Sequence, residues 1–126
     1  MIFGIGTDIV RVQRMARNLD RWGDRFAERI LTEAEMKEYE RYSRKANFLA
    51  KRFAAKEAAA KAMGLGFQGG LELKQIGTGH DRRGKPVLVL SGFAQSFVDK
   101  QGISSTHLSI TDEREYAVAF VVLECQ

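Results

Sequence analysis

The sequence is poor in the residues that fix a covalent or metallic framework. Its single cysteine, Cys125, has no mate in the chain, which excludes an internal disulfide scaffold and a zinc site built on cysteine pairs. A lone thiol of this kind also points to a reducing cytosol. The two histidines, His80 and His107, stand outside any HExxH spacing, so a zinc hydrolase of that type is not expected. Neither a Walker A loop nor a serine nucleophile elbow is present. No apolar run approaches membrane-spanning length, and "MIFGIGTDIV" is interrupted by Asp8 too soon for a signal peptide. There is no repeat, low-complexity tract or linker, and 126 residues suit one domain, 1–126, with a single core and a single site.

What the chain does have is ordinary globular composition, 44% hydrophobic and 29% charged, with a basic excess of +4. A basic balance favours an anionic partner, whether nucleic acid, an acidic protein or a phosphorylated small molecule.

The hydrophobic period predicts an α+β domain: an N-terminal strand, a block of helices, then mostly antiparallel strands. "MIFGIGTDIVRV" alternates as a strand, with Phe3, Ile5, Thr7 and Ile9 on one face and Ile2, Gly4, Gly6, Asp8 and Val10 on the other. Glycines inside a strand mark a bulge or a close approach, and these two lie directly before Asp8. Val12 to Leu31 turns helical and is expected to break at Gly23. Thr32, with Glu35 three residues on, reads as a capping box. Asn47 to Met63 is the longest and most alanine-rich helix, with Gly64 and Gly66 as candidates to end it. "LELKQIG" and "KPVLVL" read as paired strands, "SGFAQSFVDKQG" as a short helix, and "THLSITDEREYAVAFVVLE" as a hairpin turning near residues 112–115. The apolar run Ala117 to Leu123 predicts a central strand.

Within the long helix, Glu57 continues the row begun by Leu49 and Phe53, a position where an apolar residue is expected. Asp8 is similarly out of place on its strand. Two carboxylates with Lys61 nearby suit Mg²⁺, which binds through one or two carboxylates and completes its octahedron with water and phosphate oxygens. Against this, Glu57 could merely pair with Lys61 at i, i+4, and Asp8 could be a strand-end residue. Pattern leaves both readings open.

Two segments go further together. "GIGTDIV" and "FLAKRFAAKEAAAKAMG" resemble the signature segments of the holo-acyl-carrier-protein synthase family, the short bacterial type of 4′-phosphopantetheinyl transferase. The resemblance continues through "RFAERILTEAE", "GKP" and "HLSITDEREYA". It implies a transfer of the phosphopantetheine arm of coenzyme A to a serine of apo acyl carrier protein, in fatty acid biosynthesis. The nucleophile then belongs to the partner. By resemblance, Asp8 and Glu57 are the metal ligands for Mg²⁺, and Lys61 contacts the phosphates. Glu57, Lys61 or a metal-bound water could each take the serine proton. The family places coenzyme A between subunits of a homotrimer, and His107, Arg52 and the turn Gly84, Lys85 and Pro86 match positions around its adenosine and 3′-phosphate. A plain strand histidine is the competing view of His107, and His80 reads as surface. "SITD" at residues 109–112 departs from the "SISH" often found there, so no role for a second histidine carries over.

Arginines at 11, 14, 17, 21, 25 and 29 recur beside an apolar stripe. In the family this helix docks the acidic carrier protein, which makes Arg14, Met15, Arg21, Trp22, Arg25 and Phe26 the partner-binding candidates. The competing view is a solvated face, with Asp20, Asp24 and Glu28 pairing the arginines. A nucleic-acid-binding module without catalysis is the rival from another class; it would need neither Asp8 nor Glu57.

Overall fold

In the computed structural model, which describes residues 1–126, the first strand runs directly into the first helix. Strand β1 (Ile2–Arg11) is followed by α1 (Val12–Trp22), and Gly23, at φ 64°, separates it from α2 (Asp24–Ile30). Helix α3 (Glu33–Arg41) opens on the expected capping box: the Glu35 N–H donates to Thr32 Oγ1 at 3.1 Å, and the Thr32 N–H donates to Glu35 Oε1 at 3.0 Å. Helix α4 (Lys45–Met63) ends at Gly64, whose left-handed φ of 78° lets its N–H close the last turn. The remaining elements are β2 (Ile76–His80), β3 (Pro86–Leu90), α5 (Gly92–Lys100), β4 (Ile103–Asp112) and β5 (Tyr116–Cys125).

The strands form an antiparallel sheet in the order β1-β5-β4 and a separate β2-β3 hairpin. The late apolar strand is central, as its composition predicts. The expected strand over "LELKQIG" is displaced: Leu73–Gln75 form a short 3-10 turn, and pairing begins only at Ile76. The cause is local, since the Gln75 side chain accepts the Glu72 N–H at 3.3 Å and bends the chain before it can extend.

The two faces of β1 have unequal fates. Gly6 and Val10 turn inward onto α4, while Ile5 and Ile9 remain 59% and 62% exposed. The glycines make that inward packing possible. A Cβ built on Gly4 would stand 2.0 Å from the Ala62 carbonyl oxygen, and one on Gly6 would stand 1.9 Å from that of Ala58. Backbone therefore meets backbone along this contact. The alanines of α4 complete it, with Ala54, Ala55, Ala58, Ala59 and Ala62 all buried.

Helix α4 is the centre of the core, with Tyr39, Phe48, Leu49, Met15, Leu31 and Val121 around it. On β5 the inner residues Ala117, Ala119, Val121 and Leu123 are buried, whereas Phe120 on the outer face is 45% exposed.

Candidate active site

Because β1 and α4 touch through glycine and alanine, the polar residues just beyond that contact are brought close together. Asp8 follows Gly6 on the inward face, and Glu57 and Lys61 occupy successive turns of α4 beside Ala58 and Ala62. Lys61 Nζ donates to Asp8 Oδ1 at 3.1 Å and to the Thr7 carbonyl at 3.0 Å. Burial pushes the Glu57 carboxyl above its usual range and neighbouring Asp8 adds to the rise, while Lys61 and Arg14 pull it back down. Two carboxylates that repel each other in a partly enclosed place favour a cation between them. Their donors are hard oxygens, two carboxylates with no third His, Cys, Asp or Glu placed to join them, a set that fits Mg²⁺ completed by water and phosphate oxygens.

A second cluster lies on the other side of the sheet. Lys85, Pro86 and His107 line one cleft of about 340 Å³ with Ser109, Phe120 and Val122. Gly84 forms the adjoining turn at φ 84°, held by the Asp81 carboxylate, which accepts the Lys85 N–H at 2.9 Å. His107 pairs through Nε2 with Glu124 Oε1. The register puts His107 opposite Val122 and Ile5 on the outer face, whereas Asp8, opposite Ala119, belongs to the inner one. The carboxylate pair and the His107 cleft therefore lie on opposite faces of the sheet.

This chain matches the family model described as the 4'-phosphopantetheinyl transferase superfamily over residues 4–121. The chain belongs to that superfamily. It is 50% identical to a holo-[acyl-carrier-protein] synthase of Hamiltonella defensa subsp. Acyrthosiphon pisum, over 98% of each chain. Its fold superposes on the crystal structure of the Neisseria meningitidis synthase with a TM-score of 0.91 at 49% identity, covering 98% of this chain and 99% of that one. A Bacillus anthracis synthase crystallised in complex with CoA (3',5'-ADP) gives 0.83 at 41% identity, covering 100% and 99%. Membership of a transferase superfamily leaves the nucleic-acid-binding alternative without support.

Within this transferase fold, the other expected site residues divide. Arg52 lies five residues before Glu57, roughly 140° around the helix. It is 5% exposed and faces Glu35 at 3.8 Å and Glu38 at 3.7 Å, not the His107 cleft. Burial lowers its pKa, and the two glutamates oppose that change. Met15 requires a correction as a partner-contact residue. It is 1% exposed and packs in the core, because the apolar stripe of α1 must turn inward onto α4. Trp22 is 54% exposed with Arg21 stacked on its ring at 4.9 Å, Arg25 is exposed, and Phe26 is half-buried against the core.

The expected acid partners do not engage these arginines: no carboxylate lies within 4.0 Å of the guanidinium of Arg14, Arg17, Arg21 or Arg25. Asp24 instead accepts the Tyr39 hydroxyl at 3.0 Å. The transferase thus presents a basic face whose arginines make no close ion pairs. Arg14 stands apart from the others, stacked over Phe53 at 5.4 Å and close enough to act on Glu57. It borders the carboxylate pair as well as the basic face.

Sequence reasoning missed one buried group altogether. Lys56 is 1% exposed and donates to Glu35 Oε1 at 2.8 Å. The available signal was its position seven residues after Leu49, on the inward row of α4.

Proposed function

We propose that this chain transfers the 4′-phosphopantetheine arm of coenzyme A to a serine hydroxyl of apo acyl carrier protein, releasing adenosine 3′,5′-bisphosphate. The observation that carries this reading is the convergence of Asp8, Glu57 and Lys61 where β1 and α4 meet, in a chain with no activated nucleophile of its own.

Asp8 and Glu57 would hold Mg²⁺, which would neutralise charge on the diphosphate and on the leaving phosphate. Lys61 is over half exposed, so its ammonium can leave Asp8 and reach the same phosphates, stabilising charge as it develops. Glu57 and Lys61 are the chain's own candidates to take the serine proton. The cleft of Lys85, Pro86 and His107, with the Gly84 turn, receives the nucleotide end of coenzyme A. Arg21, Trp22 and Arg25 dock the acidic carrier protein, with Arg14 between docking face and metal.

The complete site is intermolecular. The outer sheet face leaves Ile5, Ile9 and Phe120 exposed in a continuous patch, the kind of surface that closes against another copy. A homotrimer brings the His107 cleft of one copy to the Asp8 and Glu57 pair of its neighbour. No helix is long and apolar enough to cross a membrane, and the reaction is assigned to the cytosol.

The deciding experiment is intact-mass spectrometry of apo acyl carrier protein incubated with this protein, coenzyme A and Mg²⁺. A phosphopantetheine gain that EDTA abolishes is the expected result; no gain with a carrier that a known synthase modifies would sink the proposal.

A further inference from the structure

Lys56 and Glu35 are the most deeply buried charged side chains of the molecule, each 1% exposed, and neither takes part in the proposed chemistry. The Lys56 ammonium has three hydrogens and three acceptors: Glu35 Oε1 at 2.8 Å, the Leu73 carbonyl at 3.0 Å and the Ile76 carbonyl at 2.5 Å. Glu35 is equally occupied. Its Oε1 also accepts the Thr32 N–H, and its Oε2 accepts the Thr78 N–H at 2.9 Å. One network thereby ties the start of α3, the middle of α4, the turn at Leu73 and strand β2.

The position of Lys56 matters because Glu57 is the next residue. Fixing one side chain of a helix fixes the direction of its neighbour, roughly 100° further round. Between Ala54 and Ala62, Lys56 is the only buried side chain larger than alanine. Alanine methyls are shallow ridges, so resistance to rotation of α4 over β1 falls to the close glycine contact and to the larger buried side chains, Phe48 and Leu49 near its start, Lys56 in its middle and Met63 at its end. The same network anchors β2, whose hairpin partner β3 begins at Pro86, directly after Lys85 of the nucleotide cleft.

We infer that Lys56 and Glu35 are positioning residues: their buried pair sets the rotation of α4 so that Glu57 faces Asp8, and holds the hairpin that carries Lys85 and Pro86. The inference rests on the proposed function of that site. A buried ion pair is a weak source of net stability, but losing one partner strands the other charge, which makes such a pair an effective register lock.

The test compares the full-length chain with Lys56→Met and with Lys56→Met/Glu35→Gln. Three quantities are read: Tm; transfer kcat and carrier-protein KM, each measured well below that variant's own Tm; and Mg²⁺ affinity by calorimetry with coenzyme A present. Lys56→Met leaves Glu35 with only the more distant Arg52 guanidinium, at 3.8 Å, as a cationic partner and lowers Tm by roughly 10 °C or more. The double variant removes the underpaired carboxylate and regains part of that loss, with Glu38 left as the partner of Arg52 and one of the Thr32 and Thr78 N–H groups left without its acceptor. It keeps a loss of about tenfold or more in kcat and in Mg²⁺ affinity, with carrier-protein KM unchanged. Recovery of Tm, kcat and metal affinity together would reduce the pair to a structural role and overturn the inference, as would unchanged Mg²⁺ affinity in Lys56→Met. Absence of transfer by the parent chain would overturn the functional reading alone, because the calorimetric comparison still decides the positioning role.

Discussion

Gly6→Ala is the smallest change expected to disable the site without altering any of its functional groups. The added Cβ would stand 1.9 Å from the Ala58 carbonyl oxygen and 2.7 Å from the Ala62 nitrogen. Ordinary contact begins near 3.4 Å, so α4 must retreat from β1 by about 1.5 Å, or β1 must bend by as much. Neither neighbour is a side chain that can turn aside. Retreat carries Glu57 and Lys61 away from Asp8 over a similar distance, and a misplacement of about 1 Å is enough to cost about 10²-fold in rate. Overpacking of this kind costs roughly 1 to 3 kcal/mol, or about 4 to 12 °C in Tm for a chain of this size.

The assay is the rate of carrier-protein mass gain at saturating coenzyme A, run far below the melting transition, alongside calorimetric Tm. Gly66→Ala is the control, since its Cβ meets only the Gln68 side chain at 3.7 Å and beyond and its φ is not positive. It should melt within about 1 °C of the parent and transfer at the parent rate. A Gly6→Ala chain that matched this control in both readings would refute the account of why glycine precedes Asp8.

The remaining predictions concern charge and assembly. The folded chain holds the Glu57 proton to a higher pH than the unfolded chain, whose group titrates near 4.5, so metal-free stability falls as pH rises through the window between those values. Glu57→Gln should therefore remove that slope and raise the metal-free Tm at pH 7 while abolishing transfer; a lower Tm at pH 7 would contradict it. Arg21→Glu should raise the carrier-protein Kd about tenfold or more, with the loss shrinking at high salt, and leave kcat near the parent value. It is a cleaner probe than Arg14→Glu, because Arg14 also acts on Glu57. Mixed and reassembled, inactive Glu57→Gln and His107→Ala chains should regain about a quarter of parental activity, since that share of randomly formed interfaces in a closed trimer joins an intact Glu57 to a neighbour's intact His107. Zero recovery in verified mixed trimers would place both residues in one chain's site.

The parts of the molecule legible in its sequence are those fixed locally. Thr32 and Glu35 announce the start of α3 because a capping box closes within four residues, and Gly64 announces the end of α4 because the left-handed turn needs it. Asp8, Glu57 and Lys61 were visible as polar residues in apolar rows. What was not legible depends on partners far along the chain. Arg52 and Lys56 look like surface cations by themselves; their burial depends on Glu35, which belongs to another helix and whose capping role hides its second one. Met15 shares a stripe with Trp22, and periodicity alone does not say which of them meets α4 and which meets solvent.

The outer face of the sheet holds information that a single chain does not use. A strand that is apolar on both faces is expected to be covered on both, and β5 meets that composition with Ala119 and Val121 inside and Phe120 and Val122 outside. Its own chain covers only the inner side. Ile5 and Ile9 extend the exposed patch across β1, and His107 adjoins it on β4. The uncovered apolar surface and the His107 cleft thus share one face, away from Asp8. A second copy packed there would bury the first and complete the second, so the same contact that stabilises the assembly would also be the one that makes it an enzyme.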